Sequence, residues 1–382
     1  MERPVLYFNN AATSWPKPAC VLDLVHKVLS SPCHEAGRTT VPEHIDYAGG
    51  TRQAVADLFS IECPDQVVFT SNATDSLNML INGFVKANPG RFHVVTSDLE
   101  HNSVLRPLTM LSDEERIDLT IVRSENNHVS PGLLDGAITA ATKLAVLSHG
   151  SNVVGSLQDI SEIGRFLQEM GIYYIVDGAQ TAGQTEVDLS GDVVDAYVFT
   201  GHKYLFGLQG IGGFYIRDPV QVSSTKHGGT GADSQNLRHP QEMPLKYECG
   251  TPNYPGIAAL YAGTGFVKET GIHAIRDHTL NMNRFLLQEL SREPAIAIHN
   301  PDTELPVISF TIHGLDSDDA GLILARLYGI IARTGLHCAP LIHERIDNGT
   351  GSIRLSLSYM NTMEECNKVA NAIREVASGC RE

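Results

Sequence analysis

Through its middle the chain alternates short apolar runs with stretches whose apolar residues recur at helical spacing. The runs predict strands at 67–70, 91–96, 118–123, 144–148, 172–176, 195–199 and 212–216. Between them, Leu77, Leu80, Ile81 and Phe84 mark one face of a helix over 74–85, and 159–170 reads the same way. Strands alternating with helices predict an α/β fold built on a largely parallel sheet.

The texture changes over 221–256, where Gly, Pro and polar residues prevail and His227-Gly228-Gly229-Thr230-Gly231 stands out. A connection of that length is commonly functional or interfacial. Beyond it, helices are expected near 257–269 and 272–291. Strands near 306–312 and 353–357 then flank a helix at 317–328, and a last helix covers 362–377. The expected organisation is an N-terminal segment (1–15), a large domain (16–256) and a smaller α+β C-terminal domain (257–382).

A length of 382 residues allows two or three domains, and 42% hydrophobic with 19% charged residues is ordinary for a soluble globular chain. A formal charge of -16 argues against a nucleic-acid partner, because the phosphate backbone is bound with Lys and Arg. No run is long and apolar enough to cross a membrane, and Met1-Glu2-Arg3-Pro4 opens no signal peptide. Seven cysteines without a CxxC pair fit a reduced, cytoplasmic chain, and sixteen scattered histidines without HExxH predict no metal.

Two polar groups interrupt this picture at strand ends. Lys203, in Thr200-Gly201-His202-Lys203, and Asp177, in Val176-Asp177-Gly178-Ala179-Gln180, each follow an apolar run. Ligands of open α/β sheets collect at the carboxyl ends of strands. A lysine amine there can form a Schiff base with the aldehyde of pyridoxal 5'-phosphate. An aspartate can hold the pyridine nitrogen protonated, so that the ring withdraws electrons. Taken singly, each could be a helix cap or a solvated surface group.

Other residues extend the pattern. Ser71-Asn72-Ala73-Thr74 joins a strand to an amphipathic helix, where free amides and the helix dipole favour a phosphate; Thr74 adds a hydroxyl, and capping is the alternative. Thr200 and His202 are further phosphate donors. His101 can cover the ring face and move protons, while Asn152 and Gln180 can hydrogen-bond the ring hydroxyl oxygen. Cys338, in Arg333-Thr334-Gly335-Leu336-His337-Cys338, has a cation and a histidine nearby in sequence, a setting for an attacking thiolate or else an inert thiol. Arg354 offers a two-pronged grip on a substrate carboxylate, or is an edge-strand surface residue.

These segments, with Tyr7-Phe8-Asn9-Asn10-Ala11-Ala12-Thr13, Cys249-Gly250-Thr251-Pro252-Asn253 and Tyr359-Met360-Asn361-Thr362, resemble the class V aminotransferase-like enzymes nearly end to end. Within them the chain is most similar to the cysteine desulfurase and selenocysteine lyase group, in its group II form with a compact cysteine loop. The resemblance implies fold type I, with a seven-stranded large domain, a small C-terminal domain and a homodimer. It implies that Lys203 forms the Schiff base, Asp177 faces the pyridinium, His101 stacks, and Asn152 and Gln180 meet the ring hydroxyl. Ala73, Thr74, Thr200 and His202 would surround the phosphate, with Thr251 sent to the neighbouring subunit's phosphate. Cys338 would form the persulfide, and Arg354 with Asn152 would bind the substrate.

The implied activity is L-cysteine desulfuration with release of L-alanine and transfer of sulfur to an acceptor protein. The alternatives are selenocysteine lyase, another class V lyase or aminotransferase, and a non-catalytic subunit of a sulfur assembly. Leu336 stands where a second histidine is common, and Asn72-Ala73-Thr74-Asp75 departs from Gly-Thr-Thr-Glu.

Overall fold

In the computed structural model, residues 5–32, 45–191, 193–232 and 235–380 are described; Met1–Pro4 and Cys33 lie outside them. The strands, in chain order, are β1 (Leu6–Tyr7), β2 (Val67–Thr70), β3 (Phe92–Ser97), β4 (Ile117–Val122), β5 (Thr142–Ser148), β6 (Tyr173–Asp177), β7 (Ala196–Thr200), β8 (Gly212–Ile216), β9 (Ile296–Ile298), β10 (Val307–Ile312), β11 (Ile330–Ile331), β12 (Arg333–Gly335) and β13 (Ser352–Ser356). Strands β2 to β8 form one sheet in the order β2-β8-β7-β6-β5-β3-β4, in which β8 runs against its two neighbours.

Continuous apolar runs suit this sheet because helices cover both its faces. Alternate residues feed opposite cores. Leu147, Tyr174, Val176 and Phe199 point to one face. Leu144, Val146, Ile175 and Val198 point to the other. Each buried Leu, Ile, Val or Phe among them contributes roughly 1.5–3 kcal/mol.

The helix Tyr254–Thr270 supplies Ile257, Ala258 and Leu260 to the first of these cores. A smaller unit has its own core, in which Met282 and Leu286 of the helix Ile272–Leu290 meet Phe310, Leu355 and Val369. Its sheet runs β12-β13-β10-β9, so Arg354 lies on an internal strand and not at an edge. The helix expected over 317–328 is helical over Ser317–Ile323 and widens into a π-helical turn at Leu324–Tyr328.

The N-terminal segment joins the two units. β1 pairs with β11, while Asn10 Nδ2 donates to the Ser356 carbonyl at 2.9 Å. A few residues on, Ser14 Oγ donates to the Lys203 carbonyl at 2.6 Å.

Candidate active site

Five strands that run the same way end at one cavity of about 540 Å³. β2 delivers Asn72, Ala73 and Thr74; β3 delivers His101; β5 delivers Ser148, Gly150 and Asn152; β6 delivers Asp177, Ala179 and Gln180; β7 delivers Thr200, His202 and Lys203. Close approach at the rim depends on Gly212, where a Cβ would fall 2.8 Å from the Asn72 Cα.

Lys203 is half-buried, with its open part on this cavity. Burial lowers its amine from an ordinary 10.5 to about 8, because desolvation outweighs the attraction of Asp177. Asp177 is 5% exposed, and its carboxyl is raised by burial against the amide of Ala179 and the charge of Lys203. Beneath it, burial raises the Glu100 carboxyl to about 8, so that group carries its proton at neutral pH. The His202 carbonyl takes bonds from the Ser14 amide at 3.0 Å, Thr13 Oγ1 at 3.1 Å and Lys17 Nζ at 2.9 Å.

His101 caps the helix Asn102–Asp113. The Ser103 amide donates to its Nδ1 at 3.0 Å, so the ring proton sits on Nε2. Burial first, and the cations Lys203, Arg333 and Arg354 after it, lower this imidazole to about 3. The ring is therefore neutral across the physiological range. Asn72 does cap its helix, accepting from the Asp75 amide at 3.0 Å, and Thr74 is left exposed. Gln180 Nε2 donates to the Ala11 carbonyl at 3.1 Å.

Cys338 lies next door. It lines a cleft that shares Thr74, His101 and Ser103 with the Lys203 cavity, and it does not line that cavity itself. His337 and Cys338 both take positive φ, 49° and 61°, a strained turn that closes β12. The Asn152 Nδ2 donates to the His337 carbonyl at 2.8 Å, and the Asn102 amide to the Cys338 carbonyl at 2.7 Å. Arg333 Nη2 donates to Cys338 Sγ at 2.8 Å.

Arg354 is wholly buried. Its Nη1 donates to the Asn152 carbonyl at 2.9 Å and its Nη2 to Asn9 Oδ1 at 3.2 Å, while Nε has no partner. Arg333 and Arg354 stand directly opposite each other in the β12–β13 ladder. Neither has a carboxylate partner among the described residues. Arg333 lines the cavity wall; Arg354 lies behind Asn152 and Asn9.

The model of the family described as aminotransferase class-V matches residues 6–369. This chain belongs to that family. A probable cysteine desulfurase of Methanothermobacter thermautotrophicus is 32% identical over 323 residues, which cover 82% of this chain and 80% of the relative. The cysteine desulfurase of Serratia proteamaculans is 29% identical over 386 residues, covering 98% and 94%. In three dimensions the chain is similar to the apo cysteine desulfurase of Thermococcus onnurineus NA1, with a TM-score of 0.88, 25% identity and 99% of each chain covered.

Within the class-V fold, the residues that the sequence suggested divide into four places. Ala73, Thr74, His101, Asn152, Asp177, Gln180, Thr200, His202 and Lys203 share the cavity. Cys338 opens on the adjoining cleft and Arg354 is enclosed behind the wall. Thr251 is exposed and lines a separate cavity, which meets the first at Gly210. Sequence reasoning took Arg333 only as the cation near Cys338, not as part of the cavity wall, and gave no role to Asn9 on Arg354; the opposed arginines are a fact of strand register, invisible along the chain.

Proposed function

We propose that this protein is a pyridoxal phosphate-dependent L-cysteine desulfurase. The observation that carries the reading is a lysine–aspartate pair in one cavity, beside two opposed arginines without an acid. Burying a cation without an anion is costly, and like charges opposite each other in a ladder repel, so this pair awaits an anionic ligand. The cavity also suits the cofactor. Thr200 Oγ1, Gln180 Oε1 and His202 Nδ1 are buried without partners. The amides of Ala73 and Thr74, which open the helix Ala73–Ala87, are free for a phosphate, and a lysine amine lowered to about 8 is more readily deprotonated to meet an aldehyde.

When bound, pyridoxal phosphate would supply an electron-withdrawing ring that stabilises negative charge at the substrate Cα. Lys203 and Asp177 would hold its two reactive ends, His101 its face, Asn152 and Gln180 its hydroxyl, and Ala73, Thr74, Thr200 and His202 its phosphate. We assign the L-cysteine carboxylate to Arg354, whose Nε has no protein partner, with Asn152; Arg333 stands opposite it on the cavity wall. The Lys203 amine, neutral in part at pH 7, takes the Cα proton. The Cys338 thiolate then attacks the substrate sulfur: an S–S bond forms, the Cβ–S bond breaks, and its electron pair stays on carbon. That carbon gains a proton, Lys203 returns one to Cα, and L-alanine leaves, while Cys338 keeps a persulfide for an acceptor protein.

Thr251 lies off the Lys203 cavity and is exposed, which supports a homodimer in which a second copy brings it to the phosphate. No helix of the described residues is long and apolar enough to cross a membrane, and we place the reaction in the cytoplasm. The test is alanine release from L-cysteine with a thiol reductant, in wild type and Cys338→Ala. Alanine from wild type and none from the variant is expected. Pyruvate in place of alanine, or full turnover by Cys338→Ala, overturns the reading.

A further inference from the structure

Behind the cysteine turn lies a group of buried polar side chains that this reaction does not employ. His343, on the helix Pro340–Ile346 that follows Cys338, is wholly buried, and its Nδ1 donates to Asp347 Oδ2 at 2.6 Å. Its ring centroid lies 5.2 Å from that of His337, tilted by 54°. On its other side, His337 Nε2 meets Ser352 Oγ at 3.1 Å. His337 Nδ1, His343 Nε2 and Asp347 Oδ1 are buried without partners.

Two facts give the group a purpose. His337 and Cys338 hold left-handed backbone that side chains disfavour, and such strain persists only where the surroundings over-determine it. The His337 ring is wedged between Ser352 and His343, while Asp347 fixes the His343 ring. Burying two histidines and an aspartate with three unpaired polar atoms among them is costly for a site whose sole task is packing. A hydrocarbon would fill the space at lower cost.

We propose that His343, oriented by Asp347, is a positioning residue that acts through His337 to hold Cys338 where its sulfur can reach the substrate. The inference rests on Cys338 being the sulfur-accepting nucleophile. It separates two halves of the site: loss of the pair disturbs the sulfur and leaves the lysine alone.

The experiment uses the cofactor-loaded protein with His343→Phe, which keeps a ring and loses the Asp347 bond, and with Asp347→Asn. Three readouts are compared: alanine release from L-cysteine, exchange of the L-alanine Cα hydrogen with deuterated solvent, and amide exchange over 336–339. In His343→Phe, release is expected to fall by about ten- to a hundredfold with KM unchanged, since small misplacements of reacting groups cost rates of that order. Asp347→Asn falls less. Cα exchange keeps its wild-type rate, and amides of 336–339 exchange faster while those of 200–206 do not change. A parallel loss of release and Cα exchange, or no change in either, overturns the proposal. If His343→Phe does not fold, Asp347→Asn carries the same comparison. If wild type makes no alanine, the functional reading fails by itself; amide exchange then decides the positioning role, and unchanged exchange over 336–339 overturns it.

Discussion

Lys203 follows an interior strand of the large sheet, and donors from Thr13, Ser14 and Lys17 fix the carbonyls of His202 and Lys203. Cys338 follows a three-residue strand at the edge of the small sheet, on a turn in strained backbone, with its sulfur on a neighbouring cleft. The first arrangement is stiff and sets a charge state. The second stores conformational energy, about 1–3 kcal/mol for each strained residue. Amine and thiol thus stand on separate units, tied together by the N-terminal segment and by Asn152, whose side chain holds the cysteine turn and whose carbonyl holds Arg354.

The largest effect is expected on the lysine side. Lys203→Ala is expected to lose the absorption band of bound cofactor and to slow alanine release by about 10²- to 10⁴-fold, the range of a lost proton-transfer group. A retained band with normal turnover would place the chemistry elsewhere. Next comes the arginine pair. Arg354→Lys should raise KM for L-cysteine by about ten- to a hundredfold, equivalent to the ~1.5–3 kcal/mol of a charged hydrogen bond, with the cofactor band unchanged. Titration of KM in Arg333→Lys beside it shows which guanidinium meets the carboxylate.

A subtler effect concerns pH. Folding lowers the Lys203 amine from 10.5 to about 8. Between those values the unfolded chain binds a proton that the folded one does not. The stability of the cofactor-free protein therefore gains a contribution that rises with pH from about 8 and levels off where the unfolded lysine itself titrates. Capture of added pyridoxal phosphate, followed by absorbance, should rise to a plateau with a midpoint at about pH 8. A rate still climbing well above that midpoint would mean an ordinary, solvated amine. His101 stays neutral through this window and adds no second limb.

Legibility followed the same division. The seven strands of the large sheet lay within two residues of their apolar runs, because a strand buried on both faces leaves a continuous signature. Asp177 and Lys203 stood out as the polar groups that end such runs. On the cysteine side the signal was short. β12 is three residues long, too brief for any periodicity, and its pairing with β13 is what opposes Arg333 to Arg354. The helix Tyr47–Phe59 carries Gly49 and Gly50, and Asn102–Asp113 carries Pro107; both went unseen among weak helix formers. That Cys338 faces a neighbouring cleft follows from two positive φ angles, and neither His337 nor Cys338 announces one.

The most direct test of the account is a single turnover: one equivalent of L-cysteine, no reductant, and mass analysis of every cysteine. The account predicts one alanine released per active site and one additional sulfur, carried on Cys338. Alanine with no sulfur on Cys338, or sulfur on Cys249 instead, would contradict it.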